Sequence, residues 1–192
     1  LVWLPIPDKG FSKPYDNSSY WLRFRIHVQV PGIYYLMNEY SLLEHAEVFV
    51  VDSTATIESY GDKGLRTNMS SNDYPFPIFK LIMDKGCYDV YFYQKKRFST
   101  YAQKISILNV DEFNAHMHSY QFSNGLIYAL FLFLLIQSFI GFFVLKSGKY
   151  LFYSGYLLTL FVILAVSEGS YKLIFPTYLH STIYFLMYYA IV

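Results

Sequence analysis

The chain of 192 residues has one cysteine, Cys87, so no intrachain disulfide framework can hold it together. Its 15 basic and 14 acidic residues leave a net charge of +1, and without a clustered basic excess we expect no nucleic-acid partner. The sequence contains no nucleophile elbow, phosphate-binding glycine loop, zinc-binding H-E-x-x-H or cysteine cluster. We therefore expect no enzyme activity in this chain, no metal and no cofactor.

Charged residues are also few, at 15% of the chain against about 25% in soluble domains, and they are unevenly distributed. Residues 1–118 carry 25 charged side chains, whereas residues 119–192 carry four. This contrast excludes both a single soluble domain and a disordered chain. We expect a β-rich extracellular domain over 1–110, a connector over 111–121 and transmembrane helices over 122–192. The first residue is not methionine and the last lies in an apolar run, which indicates a fragment of a longer protein.

The C-terminal part is predicted to cross a lipid bilayer more than once. Residues 122–145 contain no charged side chain, and a helix of that length measures about 36 Å, enough for a hydrocarbon core of about 30 Å. Further apolar segments cover 150–167 and 178–192, the last of them truncated. Lys146 and Lys149 favour a cytoplasmic turn between the first two spans. We therefore expect a multi-pass inner-membrane protein whose N-terminal domain is periplasmic or extracellular.

Two polar residues and a glycine in the first span indicate how the helices pack. Gln137 and Ser138 are predicted to hydrogen-bond across helices, and Gly141 allows a close helix contact.

Alternating sequence predicts strands in the N-terminal part. Between residues 20 and 30 every second residue is apolar, which leaves Trp21, Arg23, Arg25 and His27 together on the other face. Further segments with strand character are Ile33–Asn38, Glu47–Asp52, Thr54–Tyr60, Phe76–Met83, Cys87–Tyr93 and Gln103–Asn109. Short strands with no helical period between them predict an antiparallel, jelly-roll-like β-sandwich, followed by all-α transmembrane helices.

Several short elements follow one another in a fixed order along the chain. Residues 21–24 read W-L-R-F, residues 86–92 open a later strand with glycine, and residues 125–128 read G-L-I-Y in the first span. Residues 145–153 connect the first two spans, and Phe175-Pro176 follows the second. In this order they resemble the bacterial seven-transmembrane receptors with diverse intracellular signalling modules. The resemblance implies seven spans and a cytoplasmic kinase, cyclase or phosphatase module beyond this fragment.

The polar face of the first strand is the candidate ligand site. Trp21 can stack on a sugar ring, and Arg23 and Arg25 can bind a carboxylate or phosphate in a bidentate way, with His27 beside them. The sandwich domains of the receptors that this chain resembles look like carbohydrate-binding modules, so we hypothesise a saccharide or anionic glycan ligand. In the alternative interpretation, Trp21 packs under a loop or the edge of the second sheet, and the arginines are merely solvated.

Other assignments stay open at the level of the sequence. His116 and His118 have no third ligand near them in sequence, and the isolated His45 and His180 likewise predict no metal site. The receptor could form a homodimer, although the sequence does not determine its oligomeric state. The rival classes are a membrane-anchored glycan-binding or adhesion protein without signalling output, and a polytopic envelope enzyme whose catalytic part lies elsewhere.

Overall fold

The computed structural model describes residues 12–13, 19–41, 43–64, 74–95, 101–102, 105–170 and 182. Its elements, in chain order, are β1 (Ser12–Lys13), β2 (Ser19–Val28), β3 (Gly32–Asn38), β4 (His45–Val51), β5 (Ile57–Asp62), β6 (Ile78–Met83), β7 (Gly86–Lys95), β8 (Tyr101–Ala102), β9 (Ile105–Asn109), α1 (Val110–Leu145) and α2 (Gly148–Ser167). The chain divides into two compact units, one of Leu1–Val110 with Glu168–Val192, the other of Asp111–Ser167. The apolar segment predicted over 178–192 lies outside the described residues, apart from residue 182, and so does His180.

The strands of the first unit pair in the order of a jelly roll. One sheet has the order β2-β7-β4-β5, the other β6-β3-β9, and β1 pairs with β8. Successive strands from β2 to β7 therefore alternate between the two sheets, except that β4 pairs directly with β5, and β9 returns to the sheet of β3 and β6. All these pairs are antiparallel. The predicted antiparallel β-sandwich followed by long apolar helices is confirmed.

Strand β2 shows how the alternation of the sequence builds the core. Leu22 and Val28 are buried while Phe24 is half-buried beside them, and the residues between point outward. The prediction was wrong at Val30, which is 68% exposed because it lies in the bend after β2. Burying one large apolar side chain contributes about 1.5–3 kcal/mol, so the inward residues of both sheets are the main source of stability.

Strand β5 begins three residues later than the sequence predicts, because a side chain holds the preceding turn. One carboxylate oxygen of Asp52, Oδ1, accepts hydrogen bonds from the backbone N–H groups of Thr54, at 2.8 Å, and Thr56, at 2.9 Å. Ala55 has a left-handed φ of 63°. An aspartate that bonds to the backbone a few residues on competes with strand formation, which delays β5 until Ile57.

The second unit consists of α1 and α2, which are both long and apolar enough to cross a membrane. Helix α1 is continuous over 36 residues and therefore about 54 Å long. It includes the segment 111–121 as well as the first apolar run. The helix ends at Leu145, and the next residue, Lys146, has a φ of 47°, the left-handed conformation that often follows a helix C-terminus.

A small polar cluster joins the two helices. The hydroxyl of Ser138 donates to the carbonyl of Tyr150 at 2.9 Å, and the hydroxyls of Ser138 and Ser154 lie 2.8 Å apart. The predicted hydrogen bond across helices is thus confirmed for Ser138, whereas Gln137 is exposed. The ring of Tyr150 packs on Gly141, where a Cβ atom would lie 2.9 Å from it. The prediction of a close helix contact at Gly141 is confirmed.

We expect Gly141→Val to destabilise the helix pair. The added side chain must displace the Tyr150 ring, and overpacking of this kind costs about 1–3 kcal/mol. Gly125→Val on the same helix is the matched control, because a Cβ atom there meets nothing within 4 Å. Thermal unfolding of the full chain in detergent, followed by helical circular dichroism, should show a lower midpoint for Gly141→Val alone. Equal midpoints for the two variants would contradict the close contact.

Candidate functional site

The outer face of the four-stranded sheet carries a group of aromatic rings. Trp21 on β2 lies opposite Tyr93 on β7, and Tyr91 on β7 lies opposite Phe49 on β4. Residues directly opposite in an antiparallel pair point to the same side, so the four rings share one surface. We call Trp21, Phe49, Tyr91 and Tyr93 the aromatic platform.

Trp21 is the most exposed of the four platform residues. Its centroid lies 5.0 Å from that of Tyr93 and 5.7 Å from that of Phe49, in tilted geometry. Its side chain nevertheless remains 45% exposed. The hydroxyl of Tyr93 lies 3.1 Å from the hydroxyl of Ser19 at the platform's edge. Rings from β7 and β4 thus support the indole ring, and Trp21 stays partly open to solvent.

Two guanidinium groups beside the platform share one carboxylate. Arg25 binds Asp89 in a bidentate way, with Nε 3.0 Å from Oδ1 and Nη2 3.2 Å from Oδ2. Arg23 donates from Nη2 to Asp89 Oδ2 at 3.1 Å and places its guanidinium 5.6 Å from the centroid of the Tyr91 ring. The three groups carry a net charge of +1, and the bond from Arg23 Nη2 to Asp89 uses only one of the five N–H donors of Arg23. The predicted anion-binding arginines are therefore partly neutralised by a partner on β7.

The ion pairs change the titration of Asp89. The hydrogen bond from Arg25, assisted by that from Arg23, holds the pKa of Asp89 below its ordinary value of 3.8, and the same bond raises the pKa of Arg25. Because the pKa of Asp89 is lowered, both ion pairs persist at any pH above the ordinary carboxyl pKa of 3.8. They are lost only as the pH falls through the lowered pKa.

We expect the Asp89 carboxyl group to titrate below pH 3.8 in the intact chain. The Arg25→Met variant should raise the midpoint towards the ordinary value, because the largest stabilising contact of the carboxylate is gone. Carboxyl ¹³C chemical shifts followed through an acid titration measure both midpoints. A midpoint that does not move in Arg25→Met would show that the ion pair is absent in solution. The effect on overall stability should be small because the pair is exposed.

His27 lies at the far end of the same face. Its Nδ1 is 3.1 Å from the sulfur of Cys87 on β7, and both residues are exposed. Elsewhere, His45 pairs with Asp62 at 2.6 Å. Among the described residues, no group of three His, Cys, Asp or Glu side chains is arranged to hold a metal ion.

The structure thus places all four predicted site residues on one exposed face, and it adds partners that the sequence did not reveal. Tyr91, Tyr93 and Asp89 come from β7, and Phe49 comes from β4. The alternation within residues 86–95 signals that the three β7 residues share a face. No local signal shows that this face adjoins Trp21.

The described residues form a jelly-roll sandwich with an exposed aromatic surface, followed by two helices of membrane length. Residues 2–107 match the family model described as 7TMR-DISM extracellular 2, and the chain belongs to this family. These domains are the extracellular parts of seven-transmembrane receptors with diverse intracellular modules. No curated protein matches the chain significantly.

The predicted family is therefore confirmed. The chain is part of a membrane receptor with an extracellular N-terminal domain. Its family is one of sensor domains and not of enzymes.

Proposed function

We propose that the aromatic platform binds a carbohydrate outside the cell and that the chain passes this signal across the membrane. The observation that carries the proposal is Trp21, which is 45% exposed although three strands converge around it. A soluble domain gains stability by burying tryptophan. An indole ring that is supported from the side and left open is suited to stack against the apolar face of a sugar ring.

The polar groups around the platform match the rest of a saccharide. Ser19 and Tyr93 offer hydroxyl groups at one edge, and Arg23 offers N–H donors at the other. The net positive charge of the Arg23–Arg25–Asp89 group favours an anionic glycan over a neutral one. The jelly roll is also an architecture found in lectin domains, which supports the ligand class by analogy of fold.

Covalent connection supports the relay. Strand β9 ends at Asn109 and α1 begins at the next residue, Val110. The last strand of the sandwich and the first helix are thus adjacent in sequence, which supports β9 as the segment through which the signal reaches α1. Such a relay requires that the ligand bind two receptor states with different affinity, and a helix displacement of about 1–2 Å is typical of this kind of coupling.

The proposal includes a location and partners. The protein spans the inner membrane several times, surrounded by lipid, with Lys146 and Lys149 on the cytoplasmic side. A homodimer is one assembly in which helix shifts can be transmitted. The proposed function involves neither nucleic acid nor a chemical reaction.

Titration of the full chain in lipid nanodiscs with neutral and anionic oligosaccharides tests the ligand class. Isothermal titration calorimetry should detect binding, with tighter binding of anionic glycans and a loss of affinity as salt rises. The absence of binding across the panel would overturn the carbohydrate proposal.

A second measurement separates a receptor from a membrane-anchored adhesion protein, since both would bind the glycan. Spin labels on the exposed positions 133 of α1 and 158 of α2 report the distance between the helices. A receptor predicts a distance distribution that changes when the glycan binds. An unchanged distribution with bound glycan would favour the adhesion protein.

A further inference from the structure

The turn that follows α2 packs against the sandwich within the first unit of the chain. Helix α2 ends at Ser167, and residues 168–170 form a turn that belongs to the same compact unit as the sandwich. Gly169 is buried in this turn and has a left-handed φ of 79°. A Cβ atom on Gly169 would lie 2.5 Å from the carbonyl oxygen of Pro75 and 2.8 Å from the Cβ atom of Ser41. Glycine is therefore required here by both the backbone conformation and the space.

Ser41 and Pro75, which we call the glycine seat, offer Gly169 a firm surface. Ser41 is only 4% exposed, and Pro75 is buried. Pro75 and Pro77 flank Phe76, a fully buried ring. The proline rings fix two φ angles of this segment. The carbonyl group of Pro75 therefore has little freedom to move away from the turn.

Asn38, at the end of β3, holds both parts of the glycine seat. Its backbone N–H donates to the carbonyl of Pro77 at 3.1 Å, which anchors the segment of Pro75. Its side-chain Oδ1 accepts from the backbone N–H of Tyr40 at 3.1 Å, which fixes the chain just before Ser41. Asn38 is completely buried, and hydrogen bonds shielded from water in this way are strong. A displacement of Asn38 therefore moves both parts of the seat.

Asn38 is also bonded to the strand that carries part of the aromatic platform. Its Nδ2 donates to Oε1 of Gln94 on β7 at 3.3 Å, and both side chains are buried. Gln94 directly follows Tyr93, whose ring contacts Trp21 on the outer face of the sheet. A continuous series of contacts thus leads from the platform through Gln94 and Asn38 to the seat of Gly169.

We propose that this series of contacts couples the sandwich to helix α2, as a second connection beside the junction of β9 and α1. A shift of β7 at the platform displaces Asn38 and with it the glycine seat. The turn must follow, because Gly169 is in close contact with the seat, and α2 ends only two residues before Gly169. The inference rests on the proposed function only for the source of the movement, a bound ligand. The coupling itself needs no ligand.

The distance between spin labels at positions 133 and 158 tests the coupling. The full chain is measured in nanodiscs without any glycan, in a Cys87→Ser background. Gly169→Ala forces a methyl group against the seat and should shift the mean distance by about 1–2 Å, the size of a typical helix shift. Gly61→Ala is the matched control, because Gly61 also has a left-handed φ, of 75°, but a Cβ atom there meets nothing within 4 Å. It should leave the distance unchanged.

A variant inside the sandwich separates coupling from a local effect on α2. Asn38→Ala removes the side-chain bonds to Gln94 and Tyr40 and should shift the same distance. If circular dichroism shows that Asn38→Ala does not fold, Gln94→Met, which removes the acceptor but keeps the length of the side chain, takes its place.

Two results would overturn the coupling. One is an equal distance in Gly169→Ala and Gly61→Ala. The other is a shift in Gly169→Ala without a shift in the sandwich variant, because the turn would then act on α2 alone. Since no glycan is present, a failure of carbohydrate binding leaves this experiment unaffected.

Discussion

Replacing Trp21 with alanine should reduce the affinity for a bound glycan by about ten- to hundredfold, or about 1.4–2.7 kcal/mol. The indole ring is the main stacking surface of the platform, and the rings of Tyr93 and Phe49 approach it from the side. Because Trp21 is 45% exposed, its removal should leave the fold intact. Calorimetry with the glycan that the wild-type chain binds most tightly measures the change.

The conservative variant Trp21→Phe separates stacking from general stability. It keeps an apolar ring and should retain most of the affinity that Trp21→Ala loses. Circular dichroism of both variants should match that of the wild-type chain. Equal glycan affinity in wild type and Trp21→Ala would mean that the platform is not the binding site.

Replacing Phe92 with alanine should destabilise the sandwich by about 3–5 kcal/mol. Phe92 is fully buried, lies opposite Leu22 of β2 and Val48 of β4, and meets Phe79 of the other sheet edge-to-face with centroids 6.1 Å apart. The total free energy of unfolding of a domain of this size is about 5–15 kcal/mol. The variant should therefore unfold at a much lower urea concentration.

Both tryptophans of the chain precede residue 110, so their fluorescence reports unfolding of the first unit in urea. Ile57→Ala is the control, since Ile57 is 67% exposed on β5 and should change stability by less than about 0.5 kcal/mol. Similar urea midpoints for Phe92→Ala and Ile57→Ala would contradict the sandwich core described above.

The sequence alone predicts those parts of the fold that depend on local pattern. The alternation in β2 placed Leu22 and Val28 inside and Arg23 outside, as the structure has them. The absence of charge in residues 122–145 predicts a helix of membrane length in the same way. The order of strands in the sheets could not be predicted in this way, because β2 pairs with β7 across more than 50 residues. Register over such distances is set by the packing of whole strands and leaves no local signal.

The same distinction applies to the aromatic platform. The common face of Trp21 and Arg23 follows from the period of a strand, whereas the support from Phe49 depends on a third strand that only the topology brings near.

The most direct test of the receptor account is the side of the membrane on which the sandwich lies. Cys87 is the sole cysteine and is exposed, so a membrane-impermeant maleimide applied to intact spheroplasts should label it. In a Cys87→Ser background, Ser147→Cys marks the turn between α1 and α2 and should label only after permeabilisation. If Ser147→Cys is labelled in intact spheroplasts while Cys87 of the unmodified chain is not, the sandwich lies inside the cell, which would contradict the account.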